Sequence, residues 1–206
     1  MTNPFQVVRD FEQAVADYAG ARFGVAVDSC SNALLLSCIY SGVGGQVVWL
    51  PRRTYPSVPC AVIHAGGEVV WRMEEYAWKG VYPLSPFSVI DGAKRFRAGM
   101  YEKGMLHCLS FHAKKILPIG RGGMILTDDS AAMRWLKLAR FDGREEVPLR
   151  EQSEFKVVGY NCYMTPEQAA RGLQLLANLP ADNPDQIEIP DYPDLSKSEI
   201  FQRVNL

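Results

Sequence analysis

Short apolar strands alternate with helical stretches through most of this 206-residue chain, and that alternation limits its fold more than any other feature. Val7, Val8, Phe11, Val15 and Tyr18 recur at helical spacing after Asn3-Pro4 and stop near Gly20, which predicts an amphipathic first helix. Phe23–Val27 reads as a buried strand, Asp28–Asn32 as a small polar turn and Ala33–Tyr40 as an apolar helix. The succession repeats with a strand over Gln46–Leu50, a loop over Arg52–Ser57, a helix over Val58–His64 and a strand over Glu68–Trp71. An irregular, proline- and aromatic-bearing stretch reaches Ser85, and Phe87–Asp91 forms the next buried strand. Such an order predicts an α/β layer fold with a mostly parallel sheet.

The segment His107–Asp129 reads as strand, polar hinge with two lysines, Gly-rich turn and second apolar strand. Asp129-Ser130 then caps a helix over Ala131–Arg140. Phe141–Lys156 is charged and exposed in character, and Gly159–Met164 is an aromatic loop. Thr165 caps a further helix, with Pro166 at its first position and Glu167 and Gln168 in its first turn. Beyond Pro180 the composition shifts to Pro, Asp and Asn, with only a weak helical pattern over Ser196–Val204.

Bulk composition narrows the function. A net charge of −1 removes the electrostatic footprint of a nucleic-acid binder or of a protein held to an acidic membrane. The longest apolar runs, such as Gly44–Leu50, are too short to cross a bilayer, and no signal peptide opens the chain, so the expected place is the cytoplasm. The five cysteines are scattered without zinc or redox spacing and the three histidines are dispersed, so no metal is expected.

Loops at strand ends carry the candidate chemistry. Ser31 lies in a strand–turn–helix junction, where it either caps the helix or, with the Asn32 amide, holds a phosphate. Tyr55 follows a strand end, where α/β folds place ligand-contacting side chains. Asp91 ends a buried strand, as a cap for the next turn or as the partner of a buried cation. Ser110 and Lys115 flank the hinge, and Lys115, like its neighbour Lys114, is either a solvated charge or a reactive amine. As an ordered set these residues match pyridoxal 5'-phosphate (PLP). Its phosphate needs hydroxyls at a helix start, its ring a flat partner, its pyridine nitrogen a carboxylate and its aldehyde an amine.

The sequence resembles the DegT/StrS family of sugar aminotransferases over roughly residues 5 to 180. FEQAVADYAGARFGVAVDSCSNALLL is similar to the family's first helix and phosphate turn. PRRTYPSVPCAVIHAGG resembles its Pro-x-x-Thr-aromatic segment, VIDGAK its Asp-x-Ala-His/Gln motif and SFHAKKILPIGRGG its Ser-Phe-His-x-x-Lys segment. GYNCYMTPEQAARGLQLL resembles a motif whose asparagine reaches the other subunit's cofactor. The resemblance implies a three-layer α/β fold, the type I (aspartate aminotransferase-like) PLP-transferase large domain. It also implies Lys115 as the Schiff-base lysine, Asp91 as the pyridine partner and Tyr55 over the ring. Ser31, Asn32, Ser110 and the partner's Asn161 are implied on the phosphate. Lys94 stands where His or Gln is usual, Arg121 where an acid is usual and Tyr163 where arginine is usual. The interval from Tyr55 to Asp91 is shorter than the family's.

The domain expectation is a reduced PLP-binding large domain over 1–180, with most of the C-terminal small domain absent, and a Pro/Asp-rich tail over 181–206 open to docking a partner. The functional expectation is a homodimeric, PLP-dependent aminotransferase with a shared active site. It moves an amino group from an amino-acid donor to a keto-sugar, nucleotide-linked by analogy with the family. The alternative is a dimeric PLP-binding or accessory protein of the same family that has lost turnover.

Overall fold

The computed structural model describes residues 3–72, 78–186 and 192–203. Helix α1 spans Gln6–Ala19 and ends at Gly20, whose left-handed φ of 80° closes the last turn without a Cβ penalty. Strand β1 (Phe23–Val27), helix α2 (Cys30–Tyr40), strand β2 (Val47–Pro51), helix α3 (Ser57–His64) and strand β3 (Glu68–Arg72) follow in the expected order. Then come β4 (Tyr82–Pro83), β5 (Val89–Asp91), β6 (Leu106–Ser110), β7 (Gly123–Thr127), α4 (Ser130–Ala139), α5 (Pro166–Leu176) and the short α6 (Glu199–Arg203).

The main sheet has the order β1-β7-β6-β5-β4, with β2 and β3 as a separate pair. The α/β class stands, but neighbouring strands are mixed where a mostly parallel sheet was expected. Only β5–β6 and β2–β3 are parallel pairs, while β1–β7, β6–β7 and β4–β5 are antiparallel. The physical reason lies in the connections. The return from β4 to β5 is too short for a crossover and the Gly-rich turn after β6 folds β7 straight back, so each of these strands runs opposite to its predecessor, whereas the longer irregular segment between β5 and β6 crosses over without a helix. Strand direction nonetheless keeps the expected logic. Because β7 opposes both β1 and β6, those two point the same way, together with β5. An antiparallel bridge from Trp49 to Ser85, just past β4, gives β2 that direction too.

Two cores sandwich the sheet, as a three-layer fold requires. On one face α2, α3 and α4 pack on Val25, Val89, Leu106, Cys108 and Ile125. On the other α1 and α5 pack on Ala26, Leu109, Met124 and Leu126. The alternation along β6 and β7 is the period of two that sends successive side chains to opposite faces. Beneath α1, the fully buried Arg140 is gripped by two carboxylates. It donates to Glu12 and, at 2.9 Å, to Glu146, while Glu12 also accepts the Ala26 amide at 2.9 Å.

Of the tail, the described residues lie on the body of their own chain. Asp185 takes both Nε and Nη2 of Arg95 at 2.8 and 2.6 Å, Leu195 and Phe201 are buried, and Tyr192 stacks near Trp78. The helical pattern over Ser196–Val204 becomes a 3-10 turn at Leu195–Lys197 and α6. Residue 204 lies outside the described residues, as do 73–77 of the irregular stretch. None of the described helices is long and apolar enough to cross a membrane.

Candidate functional site

The C-terminal ends of β1, β2, β5 and β6 share one edge of the fold, the place where open α/β sheets bind ligands. Each end delivers one candidate loop. The turn after β1 begins α2 earlier than the sequence pattern suggested, at Cys30, and the cap is Ser29, whose hydroxyl accepts the Asn32 amide at 3.3 Å. This corrects the capping reading of Ser31. Its hydroxyl instead donates to Ser57 Oγ at 2.8 Å, joining the first turn of α2 to the first residue of α3. Two helix N-termini therefore meet at a pair of hydroxyls, which suits an anion. Asn32 also donates its side-chain amide to Asp28 at 2.6 Å.

Tyr55, in the loop after β2, is 59% exposed and so leaves a ring face open. Its neighbour Thr54 is buried and bonds the Tyr82 hydroxyl. Asp91 ends β5 buried, with Oδ2 accepting the Tyr82 hydroxyl at 2.7 Å and Oδ1 accepting the Ala93 amide at 2.9 Å. Asp91 thus caps the following turn, one of the two readings its position allowed. Burial pushes its carboxyl above the usual carboxylate range, and the Tyr82 hydroxyl, the Ala93 amide and the charges of Lys115 and Lys94 pull it back.

Lys115 and Lys114 part company here. Lys114 is exposed, whereas Lys115 is half-buried, and its ammonium sits close enough to Asp91 and Cys30 to favour the ionised form of each. Lys94 is buried, with Nζ 5.5 Å from the Tyr192 ring centre, and its carbonyl accepts the Gln186 amide at 2.9 Å. Ser110, at the end of β6, is half-buried beside the His112 amide. The Gly-rich turn returns the chain to the site: a Cβ on Gly123 would lie 2.6 Å from Cys30 N, so only glycine lets β7 start against the α2 terminus.

Asn161 is exposed and its amide donates to Asp142 at 3.2 Å, so within one chain it joins neither Asp91 nor Lys115 through that bond. The family-variant positions have local explanations. Arg121 pairs with Asp28 at 2.8 Å. Tyr163 packs edge-on against Phe141 and Phe5 at 4.9 and 5.6 Å, an aromatic cluster that an arginine would not fill. Among the described residues no three metal-ligating side chains cluster.

Sequence reasoning missed Ser57, Thr54 and Tyr82 as site residues. Ser57 carried a signal, as a hydroxyl at a helix start. Tyr82 carried none, because it lies in the irregular stretch and meets Asp91 only through β4–β5 pairing.

The residues present fit PLP: paired hydroxyls at two helix starts, an open aromatic ring, a buried carboxylate with lone pairs left over on both oxygens, and an amine beside it. GDP-perosamine synthase of Caulobacter vibrioides is 26% identical over 208 residues, covering 81% of this chain and 55% of its own length. The structure of 3-amino-5-hydroxybenzoic acid synthase superposes with a TM-score of 0.73 at 22% identity, over 84% of this chain and 56% of that one. NtdA of Bacillus subtilis, solved with bound cofactor PMP, superposes with a TM-score of 0.67 at 19% identity, over 84% and 48%. The chain thus spans about half the length of these relatives. The fold is that of the type I PLP-transferase large domain, and residues 1–72 and 96–192 match one family description, so that the chain belongs to the DegT/DnrJ/EryC1/StrS aminotransferase family.

Proposed function

We propose that this chain binds PLP and serves as an aminotransferase that passes an amino group from an amino acid to a keto-sugar, nucleotide-linked by analogy with GDP-perosamine synthase. The observation that carries the proposal is the shared strand-end edge, where Ser31 and Ser57 join two helix starts and the buried Asp91 carboxylate feels the charge of the half-buried residue Lys115. When bound, PLP supplies an electron sink for the carbon that loses or gains a proton. Asp91 would hold the proton on the ring nitrogen, Tyr55 would cover the ring, and Ser31, Ser57 and Ser110 would anchor the phosphate. Lys115 would hold the aldehyde group, and its amine is the base that would move a proton at the substrate carbon.

A homodimer belongs to the same proposal. Leu149, Phe155 and Val158 are exposed apolar side chains in the segment that leads to Tyr160 and Asn161, a surface suited to a second copy whose site Asn161 would complete. The cytoplasm suits five cysteines that are all unpaired.

The test is optical and covalent. The wild-type protein with added PLP should gain a near-visible band, and borohydride should fix the cofactor to the peptide containing Lys115. Lys115→Ala should lose both. A wild-type protein that stays colourless with PLP would overturn the proposal. The second reading, an accessory protein without turnover, draws on the Arg121–Asp28 ion pair, which ties the Gly-rich turn to the phosphate turn. A band that no amino-acid donor shifts to shorter wavelength would favour it.

A further inference from the structure

Tyr82 lies directly across the β4–β5 pair from Asp91, buried to 1% exposure, with its ring 4.9 Å from that of Trp78. Its hydroxyl donates to Asp91 Oδ2 at 2.7 Å and meets Thr54 Oγ1 on its other side. Burial pushes the Tyr82 phenol well above its ordinary range, so it stays protonated and acts as a donor toward the carboxylate. With that proton committed to Asp91, the Thr54 hydroxyl donates to the Tyr82 oxygen. A hydrogen-bonded chain thus runs from the Tyr55 loop, through β4, to the carboxylate at the end of β5.

We infer that Tyr82, backed by Thr54, is a positioning residue that keeps Asp91 ionised and aimed at the cofactor's ring nitrogen. The inference rests on the PLP reading of the site and adds to it a residue outside every quoted motif. Its logic is electrostatic. Asp91 is buried among Cys30 from α2, Cys108 from β6, Lys115 from the hinge and Lys94 from the following turn, besides Tyr82 itself. Burial alone favours the neutral acid, which would have no charge to hold a proton on the ring. A charge-assisted bond from a neutral donor counters that without placing a further cation beside the ring. The Thr54 end links the same bond to the loop that carries Tyr55, so ring cover and ring-nitrogen partner are fixed by one chain of hydroxyls.

The first measurement needs no cofactor. Carbon-13 NMR titration of Asp91 in the full chain, assigned with Asp91→Asn, should show its midpoint rise by about one pH unit in Tyr82→Phe, the size expected for losing one hydrogen bond to a carboxylate. The second follows PLP affinity against pH. The acid limb of that profile should move upward by a similar amount in Tyr82→Phe. Thr54→Val, which leaves the Tyr82 ring in place, should move it in the same direction by less, and it serves alone if Tyr82→Phe does not fold. An Asp91 midpoint and acid limb unmoved in the folded variants would overturn the inference while leaving the PLP reading intact. A wild type that takes up no PLP would overturn both, whatever the titration of Asp91.

Discussion

His107 shows how a single side chain can carry a pH dependence. It is fully buried on β6, and neither ring nitrogen has a hydrogen-bond partner among the described residues. A Cβ on Gly92 would stand 2.4 Å from its Nε2, so the glycine after Asp91 makes room for the ring. Burial, with the nearby Arg95 charge, lowers its pKa from 6.5 to about 4. The unfolded chain takes up a proton as pH falls below its ordinary value, and the folded chain does not until the lower one. Stability therefore holds above about pH 6.5 and declines as pH falls toward about 4, by of order 3 kcal/mol from this residue. His107→Leu should flatten the decline, as read by urea unfolding at several pH values. An equal slope in the variant would place the acid sensitivity elsewhere. The sequence displayed this histidine only as one of three dispersed ones, because the glycine and the apolar neighbours that bury it come from other strands.

At the scale of elements, local signals were read most faithfully where the chemistry is itself local. Thr165 caps α5 as expected, with Pro166 at the first helical position, and Gln168 closes a reciprocal capping box with it. Thr165→Ala should cost about 1 kcal/mol and lower the thermal unfolding midpoint, measured by circular dichroism. A midpoint equal to wild type would mean that packing of α5 on α1 makes the cap redundant. Asp129 likewise caps α4 as its position suggested. At α2 the same reasoning failed by two residues. Several hydroxyl-bearing residues compete for one cap, and the one that wins, Ser29, frees Ser31 to meet Ser57 on a helix 26 positions further along. No propensity distinguishes Ser29 from Ser31 until α3 is in place. Sheet direction followed the same rule. The helical connections from β1 to β2 and from β2 to β3 were legible in the sequence, but the reversals at β4 and β7, and the helix-free crossover from β5 to β6, were not.

For the whole molecule, the exposed run ahead of Asn161 has the largest consequence. Val158 is 88% exposed and Phe155 62%, a cost to solubility unless covered. The protein should sediment as a dimer, and Val158→Asp should shift it toward monomer. A wild type that sediments as a monomer across concentrations would remove Asn161 from any partner's site. The tail binds its own body through Arg95–Asp185, Arg52–Asp194 and the buried Leu195, so the described part of it is engaged within the chain.

From its residues alone the chain declared its main helices, the caps of α4 and α5, the layered class, and a candidate set of Ser31, Tyr55, Asp91, Ser110 and Lys115 on loops after strands. All of that is encoded within a few positions of each residue, by apolar spacing, by hydroxyls at helix starts and by motifs along one stretch. Folding alone separated Lys115 from the equally charged Lys114, half-burying the residue whose charge reaches Asp91 and leaving the other exposed. It also supplied Tyr82 and Thr54 behind Asp91, and Glu12 and Glu146 around Arg140. Those partners lie far apart along the chain, and only strand register and layer packing determine which distant groups share a buried, low-dielectric space.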